Sequence, residues 1–518
     1  VLLRQLVETS AAVAESAGRL KKIGLLGDCL RAMDDGERAI GARYLAGEIP
    51  QKTGIGYATA GDVQRVTPPA SEPQLSLREV DQRLDDIARL AGAGSATARK
   101  AQLGKLLARA TTPEQQFLVR LAVGELRQGA LDGLVVEAVA KAAGLPAAAV
   151  RRAYMLAGDL GVVAAEALGG GNLDRFGLTL FRPVLPMLAQ TADDAAEALT
   201  AFGGQAALEL KLDGFRVQLH KDGESVRAYS RALNDVTAYV PEAVAAIAAM
   251  PARRLILDAE AIVLAPNGRP LPFQDTMKRF SKNGIALAAE RPLTVTAFDA
   301  LLVDDQTLLA HPAHERWAIL GELAPALAVP RLITASADEA AAFYRDALSR
   351  GHEGVMAKAL DAPYDAGSRG AQWLKIKKVH RLDLVVLAAE WGSGRRQGWL
   401  SNIHLGARAP GTSDGWVMLG KTFKGMTDDM LRWQTTEFLA REVDRDGHIV
   451  YVRPEIVAEI AFNDVQRSSR YPGGLALRLA RVVRYRDDKT ANEADTIDAV
   501  RAIAIADGVL AASSRNAG

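Results

Sequence analysis

The 518 residues contain a single cysteine, Cys29. A lone thiol excludes an intramolecular disulfide and any zinc site built from several cysteines, and both exclusions fit a reducing, cytoplasmic compartment. Cys29 itself is expected in the core. Long apolar runs are missing as well: no stretch reaches the roughly 20 consecutive apolar residues that a membrane helix needs. The opening segment VLLRQLVETSAAVAESAGRL spaces its apolar residues as a helix does, without the basic start, continuous apolar centre and cleavage site of an export signal. A surplus of one charge is absent too, since 63 Lys and Arg face 62 Asp and Glu. That balance does not advertise a nucleic-acid partner, although it conceals local patches. Arg369, Lys375, Lys377, Lys378 and Arg381 crowd into 364–381, and seven basic residues into 467–489, against few acids.

A chain of this length exceeds what one hydrophobic core supports, so two to four domains are expected. Residues 1–178 are rich in Ala and Leu at helical spacing. In FLVRLAVGELRQGALDGLVVEAVAKAAGL (117–145), Phe117, Leu118, Leu121 and Val123 begin an apolar face, and the region reads as all-α. Gly169-Gly170-Gly171-Asn172 stops the helices, and FRPVLPML from Phe181 carries prolines that a helix rejects. From about 205 the period becomes two. Phe215, Val217 and Leu219 alternate with Arg216, Gln218 and His220, and Asp222-Gly223 turns the chain into SVRAYSR, which predicts a β-hairpin. RLILDAEAIVL (254–264) and LTVTAFDALLV (293–303) read as further strands and AAAFYRDALSRG (340–351) as a helix, giving an α/β (α+β) domain over 179–378. Short strands such as DLVVLAAEWG, GWVMLGKTF and LARVVRYR suit an all-β barrel over 382–510, after a polar hinge at 378–383 and before a flexible tail at 511–518.

The sharpest local pattern is KLDGFR at 211–216, Lys-x-Asp-Gly-x-Arg where one strand meets the hairpin. A lysine is a nucleophile only once its amine has lost its proton, which burial or neighbouring cations favour. Arg216, Lys375 and Lys377 are candidate neighbours. Gly214, with no Cβ, would let the backbone approach a bound nucleotide. In LILDAEAIVL, Asp258 and Glu260 share one face of an apolar strand. Buried carboxylates need a cation nearby, either a metal or a structural arginine.

Taken in order, these motifs resemble the covalent nucleotidyltransferase superfamily, and specifically the ATP-dependent DNA ligases of the bacterial three-domain type. The resemblance implies an all-α DNA-binding domain, a nucleotidyltransferase domain and an OB-fold barrel. It makes Lys211 the residue that carries AMP, with Glu209 on the adenine amino group. Ser230 and Arg231 resemble the next motif, whose arginine contacts the sugar and the nick phosphates. LDAEAIV places Glu260 as a metal-associated carboxylate, and AFDALLVD places Phe298 against the purine, where a plain core role is the competing reading. HEGVMAK makes Glu353 the second metal carboxylate, with Lys358 near it. WLKIKK sets Lys375 and Lys377 on the α-phosphate, and Arg216 and Arg369 join the ATP contacts.

The blocks LGKTFKGMTDD (419–429) and VAEIAFNDVQRSSRYPGGLALRLARVVRYRDDK (457–489) resemble the OB-fold domain of the same family. They offer Arg478 and Arg481 to the leaving pyrophosphate, because a guanidinium fork binds phosphate oxygens bidentately. In the helical domain, Lys100, Lys105, Arg127 and the loop QKTGIGY (51–57) are candidate phosphate contacts, since Lys, Arg and loop amides position a duplex without reading its sequence. The implied cofactors are ATP with Mg²⁺, or Mn²⁺. The implied partner is nicked duplex DNA, bound by a monomer at the nucleoid in replication, repair or recombination. The alternatives are an RNA ligase or capping-type nucleotidyltransferase, and a non-catalytic DNA-binding scaffold. An NAD-dependent ligase usually carries a four-cysteine zinc site, which one cysteine excludes.

Overall fold

The computed structural model describes residues 1–124, 126, 132–280, 285–365, 372–393, 396–412 and 415–510. Arg127, Arg369 and the 511–518 tail lie outside the described residues. Among the described residues no helix is long and apolar enough to cross a membrane.

The first part of the chain is helical from Leu3–Glu15 through Leu160–Leu168. Local chemistry sets the helix boundaries. Ser76 accepts from the Glu79 N–H to cap Leu77–Arg89, which buries Leu77, Val80, Leu84 and Ile87 along one stripe. Thr111 and Glu114 form a capping box at the start of Thr112–Ala122, which buries Phe117, Leu118 and Leu121. Val123 falls just past the end of that helix and is half-buried, as is Cys29, whose thiol burial pushes up. The helical core runs without a break into the next region, taking in Val184, Met187, Leu301, Tyr364 and Trp373.

The proline-bearing stretch after Phe181 is extended coil, and it solves a problem the hairpin creates. Gln218 and His220, on the polar side of the alternating strand, are buried rather than solvated. The backbone N–H of Val184 donates to Gln218 (2.8 Å) and that of Phe181 to His220 Nδ1 (3.0 Å). Burial lowers the His220 pKa to about 3, so the ring is a neutral acceptor at Nδ1.

Two five-stranded sheets form the central region. The first runs Gln190–Thr191, Trp373–Lys377, Gly354–Lys358, Ala206–Lys211, Arg331–Thr334; the second runs Ser225–Ser230, Phe215–Asp222, Arg254–Val263, Leu293–Val303, Gln306–Thr307. Every pairing is antiparallel except that of Gln190–Thr191 with Trp373–Lys377, so the region is α+β. Arg316 and Asp299, both fully buried, join helix Ala313–Leu323 to the second sheet through two bonds of 2.8 and 2.9 Å. The remaining guanidinium nitrogen donates to the carbonyls of His311 and Ala362.

The C-terminal region is a seven-stranded sheet organised around His380–Trp391, which pairs with Leu400–Arg408, Ile449–Val452 and Val457–Phe462. It is not purely β. Thr427 caps helix Asp428–Ala440, which buries Leu431, Gln434 and Phe438, and helix Ile497–Ala506 packs into the same core. The expected hinge at 378–383 is also shorter than its polarity suggests. Strands end at Lys377 and restart at His380, leaving Lys378 and Val379 between them. Lys378 and His380 are both paired with Asp507, at 2.9 and 3.0 Å.

Breaking a buried ion pair from one side strands the other charge, at a cost of about 3–5 kcal/mol. Arg316→Met is therefore expected to destabilise the central region by about that amount in urea unfolding, and Arg316→Met/Asp299→Leu to recover much of the loss.

Candidate active site

Alternation along Ala206–Lys211 puts Leu208 and Leu210 into the core beneath helices Ala195–Ala201 and Ala337–Ser349, and Glu209 and Lys211 on the opposite face. Strand register fills in that face. Lys211 and Lys377 lie opposite Gly354 from either side, and Glu209 and Lys375 lie opposite Met356. Gly354 has φ 148°, and a Cβ there would stand 2.1 Å from the Ile376 carbonyl oxygen, so only glycine lets the three strands close at this point. The preceding residue, Glu353, has a side chain only 7% exposed and is ion-paired with both Lys211 and Lys377. Burial alone would raise its pKa, yet the two lysines hold it below the usual carboxylate value. Lys377 is pulled down by burial and by the Lys211 charge, against the attraction of Glu353.

The second sheet supplies the facing wall. Arg216 grips Asp258 with its fork (2.9 and 2.6 Å) and donates to the Met187 carbonyl (2.7 Å), while Tyr364 donates to the same carboxylate (2.7 Å). Asp258 is thus answered by an arginine. Its neighbour Glu260, across from Arg216 in the ladder, accepts from the Gly214 N–H at 3.2 Å. Burial pushes the Glu260 carboxyl up to about 7, with Lys211 and Arg216 opposing the rise. Phe298 is half-buried, with the Arg216 guanidinium 5.2 Å from its ring centre.

Between the walls lies a cleft of about 870 Å³. It brings together Glu209, Lys211, Arg216, Arg231, Glu260, Phe298, Lys375, Lys377 and, from the C-terminal region, Arg478. Arg478 pairs with Asp213 of the KLDG element (3.1 Å) and with Asp464 (3.2 Å). Arg481 is exposed and does not line the cleft: Leu479, at φ 56°, turns the chain after Arg478, and Arg481 opens a strand paired with Val457–Phe462. Gly214 is required by its neighbouring strand, since a Cβ would sit 2.3 Å from Ile262 Cγ2 and 2.4 Å from the Ala261 oxygen. Lys100 and Lys105 are exposed on helix Ser95–Leu107, away from the cleft, whereas Lys52 of the 51–57 loop donates to Asn234 on its rim (2.8 Å). Reading motifs also missed Asp213 as the partner of Arg478, Trp373 in the cleft wall, and Arg331, which binds Glu209. Arg331 opens a four-residue strand in a segment with no motif of its own.

Among the described residues no group of three or more His, Cys, Asp or Glu side chains could hold a metal ion. Glu260, which lines the cleft, fits a divalent ion that keeps waters and takes substrate phosphates as further ligands.

Comparison with known proteins agrees with this geometry. Three family models match the chain: ATP dependent DNA ligase domain at 186–377, DNA ligase N terminus at 55–140, and ATP dependent DNA ligase C terminal region at 396–489. The chain belongs to the ATP-dependent DNA ligase family. It is 58% identical to a "Probable DNA ligase" of Anaeromyxobacter dehalogenans (strain 2CP-C) over 97% of this chain and 99% of that protein. A "Probable DNA ligase" of Mycolicibacterium gilvum (strain PYR-GCK) is 54% identical over 97% of this chain and 99% of its own. The solved chain Pmar-Lig_Pre shares the fold, with TM-score 0.62 and 17% identity over 94% of this chain and 99% of that one. As an ATP-dependent DNA ligase the protein uses ATP and a divalent metal and acts on DNA.

The raised Glu260 pKa has a signed consequence for this ligase. A carboxyl that holds its proton more tightly when folded contributes stability below its ordinary pKa of 4.5, and that contribution is lost as pH rises through about 7. In metal-free urea titrations, Glu260→Gln should therefore gain stability relative to wild type between pH 5 and pH 8. An unchanged difference between the two proteins across that range would contradict the raised value.

Proposed function

We propose that the protein seals 3′-hydroxyl/5′-phosphate nicks in duplex DNA through a covalent lysyl-AMP on Lys211. The observation that carries this reading is the pair of lysines, Lys211 and Lys377, held on one buried carboxylate at the floor of the cleft, with Arg478 reaching in from the C-terminal region. In the first step the Lys211 amine gives up its proton to solvent and attacks the α-phosphorus of ATP. A P–N bond forms, and the bond to pyrophosphate breaks on the opposite side.

Lys375 and Lys377 offset negative charge on the α-phosphate, and Arg478 takes the β- and γ-phosphates as they leave. Phe298 stacks on the purine and Glu209 accepts from its amino group. Glu260 and Glu353 would hold Mg²⁺, which when bound neutralises phosphoryl oxygens. In the second step a DNA 5′-phosphate oxygen attacks the lysyl-AMP phosphorus and frees the Lys211 amine. In the third the 3′-hydroxyl attacks the 5′-phosphate, AMP leaves, and the strand is closed. Arg231, exposed on the cleft rim, would contact the nick phosphates. The helical region, with Lys100 and Lys105 exposed on one helix, holds the duplex by its backbone.

Incubation with α-labelled ATP and Mg²⁺ is expected to label wild type on Lys211, and EDTA or Lys211→Ala to abolish both the label and nick sealing. Sealing by the Lys211→Ala protein equal to wild type would end the proposal. Offering GTP with single-stranded RNA should yield no comparable adduct or joining.

Affinity for a nicked duplex is expected to fall steeply with salt and to vary little with sequence. Losing each phosphate contact should flatten the log K against log[salt] plot by about 1, so Lys100→Ala/Lys105→Ala should lower the slope by about 2.

A further inference from the structure

Glu209 is 2% exposed, and both of its oxygens are taken by cations from the two strands that flank it. Arg331, its cross-strand partner, donates twice to Oε1, from Nε at 2.8 Å and Nη2 at 2.5 Å. Lys358, from the other neighbouring strand, lies 2.6 Å from Oε2 and is 1% exposed. The cations are themselves fixed. The Arg331 guanidinium lies 4.2 Å from the centre of the Trp317 ring, and the Lys358 ammonium 4.2 Å from that of Trp373.

Each carboxylate oxygen offers two acceptor positions. Arg331 fills both on Oε1 and Lys358 fills one on Oε2, so one acceptor position is left, and it belongs to a side chain that lines the cleft. A carboxylate salt-bridged twice has no proton to donate. It therefore suits a base edge that presents an amino donor and opposes one that presents a carbonyl oxygen.

We propose that Arg331 is a positioning residue for nucleobase selection: it fixes Glu209 as a pure acceptor whose remaining lone pair discriminates the 6-amino edge of adenine from the 6-oxo edge of guanine. This deepens the proposed function, since it rests on Glu209 facing the base. Arg331 itself need not touch the nucleotide. Its removal leaves Glu209 held from one side only, free to rotate and to leave its acceptor misdirected. A site built to hydrogen-bond a substrate group loses discrimination when that group is misplaced, whereas Lys211, two residues further along the same strand face, keeps its own partners Glu353 and Lys377.

The test is single-turnover self-adenylation with labelled ATP and labelled GTP on wild type, Arg331→Met and Arg331→Lys, with urea unfolding to confirm that each is folded. Arg331→Met is expected to weaken apparent ATP affinity about tenfold or more, to leave the maximal adenylation rate within about threefold, and to cut the ATP-over-GTP preference about tenfold. Arg331→Lys should recover part of the preference, since it restores the charge without the fork. Two results would overturn the inference: an unchanged ATP-over-GTP ratio in folded Arg331→Met, or a fall in maximal rate with ATP affinity intact. Failure of wild type to form any adduct would remove the proposed function and this inference together, whereas a wild-type adduct with unaltered selectivity in the variant would remove the inference alone.

Discussion

Everything in the cleft depends on one carboxylate held between two lysines. Glu353 sits where Lys211 and Lys377 converge from opposite sides of its strand, and it is the next residue, Gly354, that permits the convergence. Three charges in so little solvent are costly unless each is answered, because the low-dielectric interior penalises an unpaired charge far more than water does. The arrangement leaves one excess positive charge at the floor of a cleft whose other wall carries Glu260 and the Arg216–Asp258 pair. A polyphosphate entering such a site meets cations already held in place, so little reorganisation is needed when charge develops on its oxygens.

The same logic repeats around the cleft. Asp258 is answered by Arg216 and Tyr364, Asp299 by Arg316, and Glu209 by Arg331 and Lys358. Each pair ties strands within one sheet, or a strand to a helix, so the buried charges hold each wall of the cleft together. The helical region adds to this rigidity, because its core continues through Val184 and Met187 to Tyr364 and Trp373, and Trp373 faces the cleft.

Much of this was legible in the sequence because alternation and helical spacing are local. The period-two run from Phe215 announced its strand, and the apolar face that begins with Phe117, Leu118 and Leu121 announced its helix. The strand-borne candidates Glu209, Lys211, Arg216, Glu260, Phe298, Lys375 and Lys377 were read together because each lies within an ordered motif, and the fold brings them to one cleft. What escaped was whatever depends on register between distant segments. Nothing near Arg331 announces that it will lie opposite Glu209, and nothing in the hairpin says that His220 and Gln218 will be covered by the segment at 181–184. Nor does the sequence show that Arg481 parts from Arg478. It stands three residues from Arg478, but the left-handed turn at Leu479 sends the two side chains to different strands. Helix Asp428–Ala440 was overlooked because its Ala-poor, mixed sequence DDMLRWQTTEFLA owes its form to packing of Leu431 and Phe438 more than to propensity.

The contact between Arg478 and Asp213 bears on how the C-terminal region moves. Only Lys378 and Val379 separate its first strand from the last strand of the cleft floor, and Lys378 is tied to Asp507 within the C-terminal region itself. A two-residue connector cannot absorb a large translation, so a change of orientation must be a rotation about those two backbones. Such a rotation would withdraw Arg478 from the cleft while Asp507 keeps the near end of the connector attached to the sheet that turns. The Arg478–Asp213 and Arg478–Asp464 pairs are partly solvated, with side-chain exposures of 26–32%, and are of the kind worth little in water. They cost little to break, and the buried pairs behind them cost far more. With strong pairs inside the cleft walls and weak pairs across the mouth, such a rotation would part the C-terminal region from the cleft without disturbing the walls.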